Sequence, residues 1–210
     1  AWVFNPDPID FSRYQTIDIY NADNMYTTRI NDWVVRENPM RRTREGLAII
    51  DFRDLGRLEA VMGSKGRSSY QFDIWQATHG PVGDDGYPVL LFDKTTGAIN
   101  KQVAKYMREN GYDLSAYLRD NWDDLSPKLR NKIKIFTGDM DDFYLNLAVY
   151  QFEDMIREKG GGSYPARFEY GRPKKGHNWH HTNWAGVVRE VAGHVRETAP
   201  AGASFDDWNY

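Results

Sequence analysis

The clearest β-strand signal in the chain is Lys132-Ile133-Lys134-Ile135-Phe136-Thr137-Gly138, a run rich in β-branched residues that ends at a glycine. An acidic cluster, Gly138-Asp139-Met140-Asp141-Asp142, follows directly. Between Leu145 and Ile156 the apolar residues recur at helical spacing, and glycines after Lys159 close that helix. The pattern predicts a strand of a parallel sheet followed by an amphipathic helix.

A second strand and a second helix come next. Residues Ala166–Tyr170 alternate like a strand, and the apolar residues from Trp184 to Val195 mark a last amphipathic helix with Trp184 on its core side. Because strands and helices alternate here, we expect βαβ connectivity and a parallel sheet. The opening run Ala1–Phe4 indicates a further buried strand.

The rest of the chain differs in character, since no long hydrophobic period runs through it. The sequence therefore predicts one α/β domain. Residues 1–10 and 130–198 form its core of strands and helices, residues 11–129 form a large, mostly helical insertion or lid, and residues 199–210 form a tail.

Within the insertion, short helices are expected at Leu55–Met62, at Asn100–Asn110, and from Leu114 to a stop at Ser126-Pro127. The stretch Thr78–Pro88 is so dense in glycine, proline and aspartate that it predicts a loop. The basic run Arg41, Arg42 and Arg44 is interpreted as a solvated face.

Composition excludes several classes of function. With 27 basic and 30 acidic side chains the net charge is −3, so nucleic acid and membrane are not expected partners. The chain has no cysteine, which excludes disulfides, thiolate metal sites and a cysteine nucleophile. The first residue is Ala1 rather than Met, and we expect the true start of the protein to be missing. Localisation and oligomeric state stay open.

Two segments follow predicted strands and carry reactive side chains. The acidic cluster at 138–142 follows the first strand, and Gly171–His181 follows the second. Because loops at the carboxyl ends of parallel strands share one edge of the sheet, an acid and His177 are expected to meet there. A carboxylate on imidazole Nδ1 leaves Nε2 free to take a proton from a hydroxyl nucleophile. The order acid, then histidine, is that of the α/β-hydrolases.

The pairing of Gly138-Asp139-Met140-Asp141-Asp142 with Gly176-His177-Asn178-Trp179 resembles the acid and histidine motifs of the putative-esterase family of α/β-hydrolases, which includes enterochelin-esterase-like, feruloyl-esterase-like and S-formylglutathione-hydrolase-like proteins. The resemblance implies the C-terminal portion of an α/β-hydrolase fold. It assigns the catalytic acid to Asp141 and the catalytic base to His177. Three acids compete for these roles, so Asp139 stays the alternative acid, and Asp142 is interpreted as a helix-start residue.

The chain departs from that family in one respect. A nucleophile elbow needs G-x-S-x-G after a strand, and no serine here has that context; Ser64, for example, lies in Gly63-Ser64-Lys65-Gly66. We expect the serine and the oxyanion-hole donors upstream of Ala1, so that this fragment alone is inactive.

The predicted function is a serine hydrolase that cleaves a small-molecule or carbohydrate-linked carboxylic ester without a cofactor. Trp75, His79, Trp122 and Trp179 are the candidates to line its substrate pocket. The alternative is a non-catalytic carbohydrate- or partner-binding module that uses the same crevice. A metal-dependent hydrolase is the third hypothesis, because His180 and His181 lie near His177, but no metal site is assigned.

Overall fold

The computed structural model describes residues 2–4, 7–67 and 71–208, with the side chains of 2–4 and 65 outside that description. Its strands are β1 (Trp2–Phe4), β2 (Thr27–Arg29), β3 (Val35–Glu37), β4 (Pro39–Arg42), β5 (Ala48–Asp51), β6 (Lys134–Gly138) and β7 (Arg167–Gly171). Its helices are α1 (Phe52–Val61), α2 (Phe72–His79), α3 (Lys101–Glu109), α4 (Leu114–Asp120), α5 (Trp122–Leu129), α6 (Leu145–Gly160) and α7 (Trp184–Thr198).

The parallel sheet has three strands in the order β1-β6-β7. Val3 pairs with Ile135 between β1 and β6, and Gly138 pairs with Gly171 at the ends of β6 and β7. All three strands point the same way, which confirms the predicted parallel connectivity. The predicted burial of the opening strand concerns side chains outside the described ones.

Helix α6 covers one face of this sheet. Its apolar stripe packs with Ile133 and Ile135 in one buried cluster. The stripe consists of Ala148, Val149, Phe152, Met155 and Ile156. Burying each of the larger side chains contributes about 1.5–3 kcal/mol to stability. The helix ends as predicted, because Gly161 adopts φ 68° and its amide donates to the carbonyl oxygen of Arg157. Helix α6 therefore fixes the positions of β6 and of the residues around its own N-terminus.

Helix α7 differs from the prediction at its first residue. Trp184 was expected on the core side, but it is 63% exposed, and Val187 is the buried residue of this helix. Trp184 begins the helix, where its ring lies 4.6 Å from the ring of His180 instead of entering the core.

The insertion is less helical than predicted. It contains α1 to α5, but also two antiparallel two-stranded sheets, β2-β3 and β4-β5. A second buried cluster, which includes Phe11, Tyr26, Phe52, Phe72 and Met107, forms its core. Residues 11–129 thus have a hydrophobic core of their own. Among the described residues, no helix is long and apolar enough to cross a membrane.

Two boundaries in the insertion were predicted wrongly. The helix expected from Leu114 is two helices that meet at Asn121, and Pro127 lies inside the second one instead of ending the first. Proline removes one amide donor, yet the chain stays helical to Leu129. Thr78 and His79, expected in a loop, form the last turn of α2, and the irregular segment begins at Gly80.

We predict that Gly138→Ala destabilises the protein by about 1–3 kcal/mol, as overpacking against rigid neighbours does. A Cβ atom at this position would overlap the carbonyl oxygens of Lys175 and Gly176, which belong to backbone and have little room to move. Urea unfolding measures the loss. Gly193→Ala is the matched control, because a Cβ there meets nothing within 4 Å and alanine favours a helix by about 1 kcal/mol over glycine. Equal unfolding midpoints for Gly138→Ala and the unmodified protein would contradict this close approach.

Candidate functional site

The site begins where β6 and β7 end side by side. The amide of Asp139 donates to the carbonyl oxygen of Gly171 over 3.1 Å, and the amide of Met140 donates to that of Lys175 over 3.0 Å. Through these two hydrogen bonds, the loop after β7 packs against the end of β6. Only glycine fits at 138, because the backbone of the loop passes directly over it.

Asp141 and His177 form the hydrogen bond that the sequence predicted. Nδ1 of His177 lies 2.9 Å from Oδ2 of Asp141. The carboxylate is fully buried, whereas the imidazole is 29% exposed. The other oxygen, Oδ1, accepts the amides of Phe143 and Leu145 over 2.9 and 3.2 Å. Since an ionised carboxylate only accepts, Nδ1 carries the hydrogen and Nε2 of the neutral ring is an acceptor.

Each acid of the cluster contacts a different part of the histidine loop, which is the segment of residues 172–183 between β7 and α7. Oδ1 of Asp139 accepts the amide of Lys175 over 3.0 Å, and Oδ1 of Asp142 accepts the amide of His177 over 3.3 Å. The carboxylate of Asp141 instead contacts the imidazole ring. Asp139, the alternative acid, therefore positions loop backbone in this structure.

Arg42, which belongs to the insertion, stabilises the acidic turn after β6 through hydrogen bonds. The sequence did not predict this role. Its Nε donates to the carbonyl oxygen of Asp141, and a terminal nitrogen donates to Oδ1 of Asn146, both over 2.9 Å. Its guanidinium lies 4.3 Å from the ring centre of Tyr144. The interpretation of Arg42 as part of a solvated face is therefore wrong, because all these acceptors come from residues about a hundred positions away.

The surroundings of His177 favour its protonated form. The hydrogen bond to Asp141 raises the pKa of the imidazole above its usual value, although burial opposes this shift. The negative charges of Asp141, Asp142 and Asp7 add to the increase. The site therefore stabilises an imidazolium, which is the state a histidine reaches after it accepts a proton at Nε2.

A cavity of about 180 Å³ opens beside the imidazole. His177 lines it together with Asp7, Tyr14, Gln15, Trp75 and Phe143, among others. The ring of Phe143 stands nearly perpendicular to the imidazole, with ring centres 4.9 Å apart. No hydrogen-bond partner of Nε2 is found among the described residues. His177, whose Nε2 has no partner among the described residues, thus lines a cavity that could hold a small ligand.

The four predicted pocket residues have different positions. Trp75 lines the cavity, and His79 lies behind it with ring centres 5.0 Å apart. Trp179 packs its indole against Gly171 below the histidine loop. Trp122 contacts Tyr164, 5.0 Å between ring centres, beside the core of α6, and does not line this cavity.

The sequence interpretation missed Asp7, Tyr14, Gln15 and Phe143 as wall residues. Asp7 follows β1, so the rule about carboxyl ends of parallel strands could have identified it. Tyr14 and Gln15 lie in an aperiodic segment that gives no such signal.

The other nearby histidines make separate contacts. His181 stacks on Phe136 with ring centres 4.3 Å apart, and its Nε2 lies 2.8 Å from Oε1 of Glu190. His180 contacts the carbonyl oxygen of Thr182. In the part of the chain that the structure describes, no three histidine, aspartate or glutamate side chains are grouped so that they could hold a metal ion.

Comparisons of the chain with protein-family models, with curated proteins and with solved structures found no match.

We predict that the imidazole of His177 titrates above the value of about 6.5 that is usual for histidine, because Asp141 stabilises its charged form. His79 should titrate below that value, because burial lowers its pKa. NMR titration of the imidazole Cε1 protons measures both. Asp141→Asn should lower the pKa of His177 and leave that of His79 unchanged. An unchanged His177 pKa in this variant would rule out the contact in solution.

Proposed function

We propose that Asp141 and His177 are the acid and base of a Ser-His-Asp triad in a serine hydrolase that cleaves carboxylic esters. The fold proposed for the complete protein is the α/β-hydrolase fold. In this proposal residues 1–210 supply its last parallel strands, the two triad members and the insertion that covers the site. The serine and the oxyanion-hole donors belong to a segment upstream of Ala1, as in the esterase family that the sequence resembles.

The observation that carries the proposal is the pair itself. Asp141 is buried, two backbone amides occupy its Oδ1, and the imidazole takes its Oδ2 at 2.9 Å. His177 belongs to the wall of a cavity, and its Nε2 has no partner among the described residues. This is the arrangement in which a carboxylate orients an imidazole and stabilises its protonated form.

In the reaction, Nε2 of His177 accepts the proton of the serine hydroxyl while Oγ attacks the ester carbonyl carbon. Asp141 stabilises the resulting imidazolium. The imidazolium returns the proton to the departing alcohol, which leaves an acyl-serine. Water, deprotonated in turn by His177, then hydrolyses the acyl-serine and releases the acid and the free serine. No cofactor takes part in these steps.

The cavity beside His177 has room for one small group of an ester substrate. Its described lining residues include no serine or threonine, and the proposal places the nucleophile upstream of Ala1. A cavity of about 180 Å³ is below the range of about 300–1,000 Å³ for drug-sized ligands, which suits one small acyl or alcohol group.

Two other classes remain as outcomes of the test. A non-catalytic binding module would use the same aromatic walls, Tyr14, Trp75 and Phe143, without a reactive serine. A metal-dependent hydrolase would need a group of ligands that the described residues do not offer.

We predict that a fluorophosphonate reagent labels one serine of the full-length protein and that the labelled serine lies outside residues 1–210. His177→Ala should slow labelling at least about a thousandfold, because the serine then has no base. The rate should rise with pH through the pKa of His177, since only the neutral imidazole accepts a proton. Rapid-quench labelling and peptide mapping by mass spectrometry measure rate and position.

Two aspartates provide the matched comparison. Asp141→Asn should reduce ester hydrolysis by about 10⁴-fold, as loss of the orienting acid does in known triads. Asp139→Asn keeps an oxygen acceptor for the amide of Lys175 and should cost less than about tenfold. Equal losses in the two variants would contradict the choice of acid. Unreactive serines in a folded protein would favour the binding module, and hydrolysis that a chelator abolishes would favour the metal enzyme.

A further inference from the structure

Gln15 is an unusual residue in the wall of the His177 cavity. It is only 6% exposed, and its side-chain oxygen Oε1 is buried without a hydrogen-bond partner among the described residues. Its backbone adopts φ 54°, in the left-handed region that residues other than glycine seldom occupy. The chain turns at this point, where the amide of Ile17 donates to the carbonyl oxygen of Tyr14 over 2.9 Å.

Both features of Gln15 are unfavourable for the folded protein alone. A buried amide oxygen without a donor loses its hydrogen bond to water and gains nothing in return. A left-handed glutamine is strained, and strain of this kind is concentrated at binding and catalytic positions. The combination therefore points to a partner other than the described residues.

The neighbours of Gln15 define the chemistry of that partner. Trp75 also lines the cavity, and its Nε1 donor is likewise buried without a partner among the described residues. Asp7 adds a carboxylate, and no lysine or arginine is among the described lining residues. The described wall thus offers the side-chain amides of Gln15 and Gln71, the hydroxyl of Tyr14, the indole N–H of Trp75 and the carboxylate of Asp7, so that it both donates and accepts hydrogen bonds. Among these described residues a positive charge arises only when His177 is protonated.

We propose that this cavity is the subsite for a hydroxyl-bearing group of the ester substrate, bound by the side chains of Gln15, Trp75 and Asp7. A hydroxyl both donates and accepts, so it can satisfy the oxygen of Gln15 and the indole N–H of Trp75 together. An ammonium has no acceptor for Trp75, a hydrocarbon satisfies neither atom, and a carboxylate is repelled by Asp7. Both atoms are covered by neighbouring protein atoms, so binding in this proposal requires the side chains that cover them to move. The inference rests on the proposed ester hydrolysis and adds the specificity of that same site.

The test compares esters that differ only in the group offered to the cavity. Ethyl glycolate and ethyl propionate present a hydroxyl or a methyl on the acyl side, and 2-hydroxyethyl acetate and propyl acetate do so on the alcohol side. For the side that enters the cavity, kcat/KM of the full-length protein should favour the hydroxyl ester at least about tenfold. Gln15→Met, which has nearly the same size and no hydrogen bond, should reduce that preference about tenfold or more.

Each variant is characterised by the ratio of kcat/KM for the hydroxyl ester to kcat/KM for its methyl counterpart. Dividing this ratio by that of the unmodified protein cancels the intrinsic reactivity of the esters. Gln102→Met, on the exposed side of α3, makes the same chemical change away from the cavity and should leave the ratio unchanged. Asp7→Asn changes an exposed residue without risk to the core, and it should improve hydrolysis of monoethyl malonate relative to ethyl propionate.

The outcomes separate this subsite from the proposed function. Hydrolysis with equal preferences in the unmodified protein, Gln15→Met and Asp7→Asn overturns the subsite and leaves the esterase standing. Absence of hydrolysis for every ester, together with unlabelled serines, overturns the esterase and the subsite with it. Loss of the hydroxyl preference in Gln15→Met but not in Gln102→Met supports both the esterase and the subsite.

Discussion

A fully buried carboxylate is stable in this fold because all its oxygen atoms are used. Asp141 accepts two backbone amides at the start of α6 and the imidazole of His177, and the guanidinium of Arg42 holds its carbonyl oxygen. Removing any of these donors leaves a buried charge with less compensation, which is costly. The position of the imidazole therefore depends on the turn after β6, and that turn depends on the pairing of Gly138 with Gly171.

Two parts of the chain build the site. The parallel sheet supplies Asp141 and His177 from adjacent strand ends, whereas the insertion supplies Arg42, Gln15 and Trp75. The strand ends fix the position of the imidazole, and the insertion supplies part of the cavity wall beside it. Residues of both parts also contact the pair, since the amide of Phe143 donates to Asp141 and Arg42 donates to the carbonyl oxygen of Asp141.

The sequence predicted what short-range periodicity and strand direction control. The strand at β6, the stripe of α6 and the contact between Asp141 and His177 follow from local patterns and from the rule that strand ends share an edge. The bracing by Arg42 could not be predicted, because it depends on contacts between residues far apart in sequence. The strained turn at Gln15 is local, but it lies in an aperiodic segment that gives no signal. The Pro127 boundary failed for a different reason, since the helix tolerates the missing amide donor and continues to Leu129.

Backbone strain in the described chain is concentrated around this site. Of the four residues other than glycine with positive φ, Gln15 lines the cavity, Tyr144 precedes α6 beside Asp141, and Lys174 lies in the loop that carries His177. The fourth, Asn131, lies elsewhere and is of a type that tolerates this conformation. Each strained residue costs roughly 1–3 kcal/mol, and none of the three near the site is asparagine or glycine, the residues that would relieve that cost. Strain of this kind is concentrated at binding and catalytic positions. That reasoning favours a site that acts on a ligand over a histidine buried for packing.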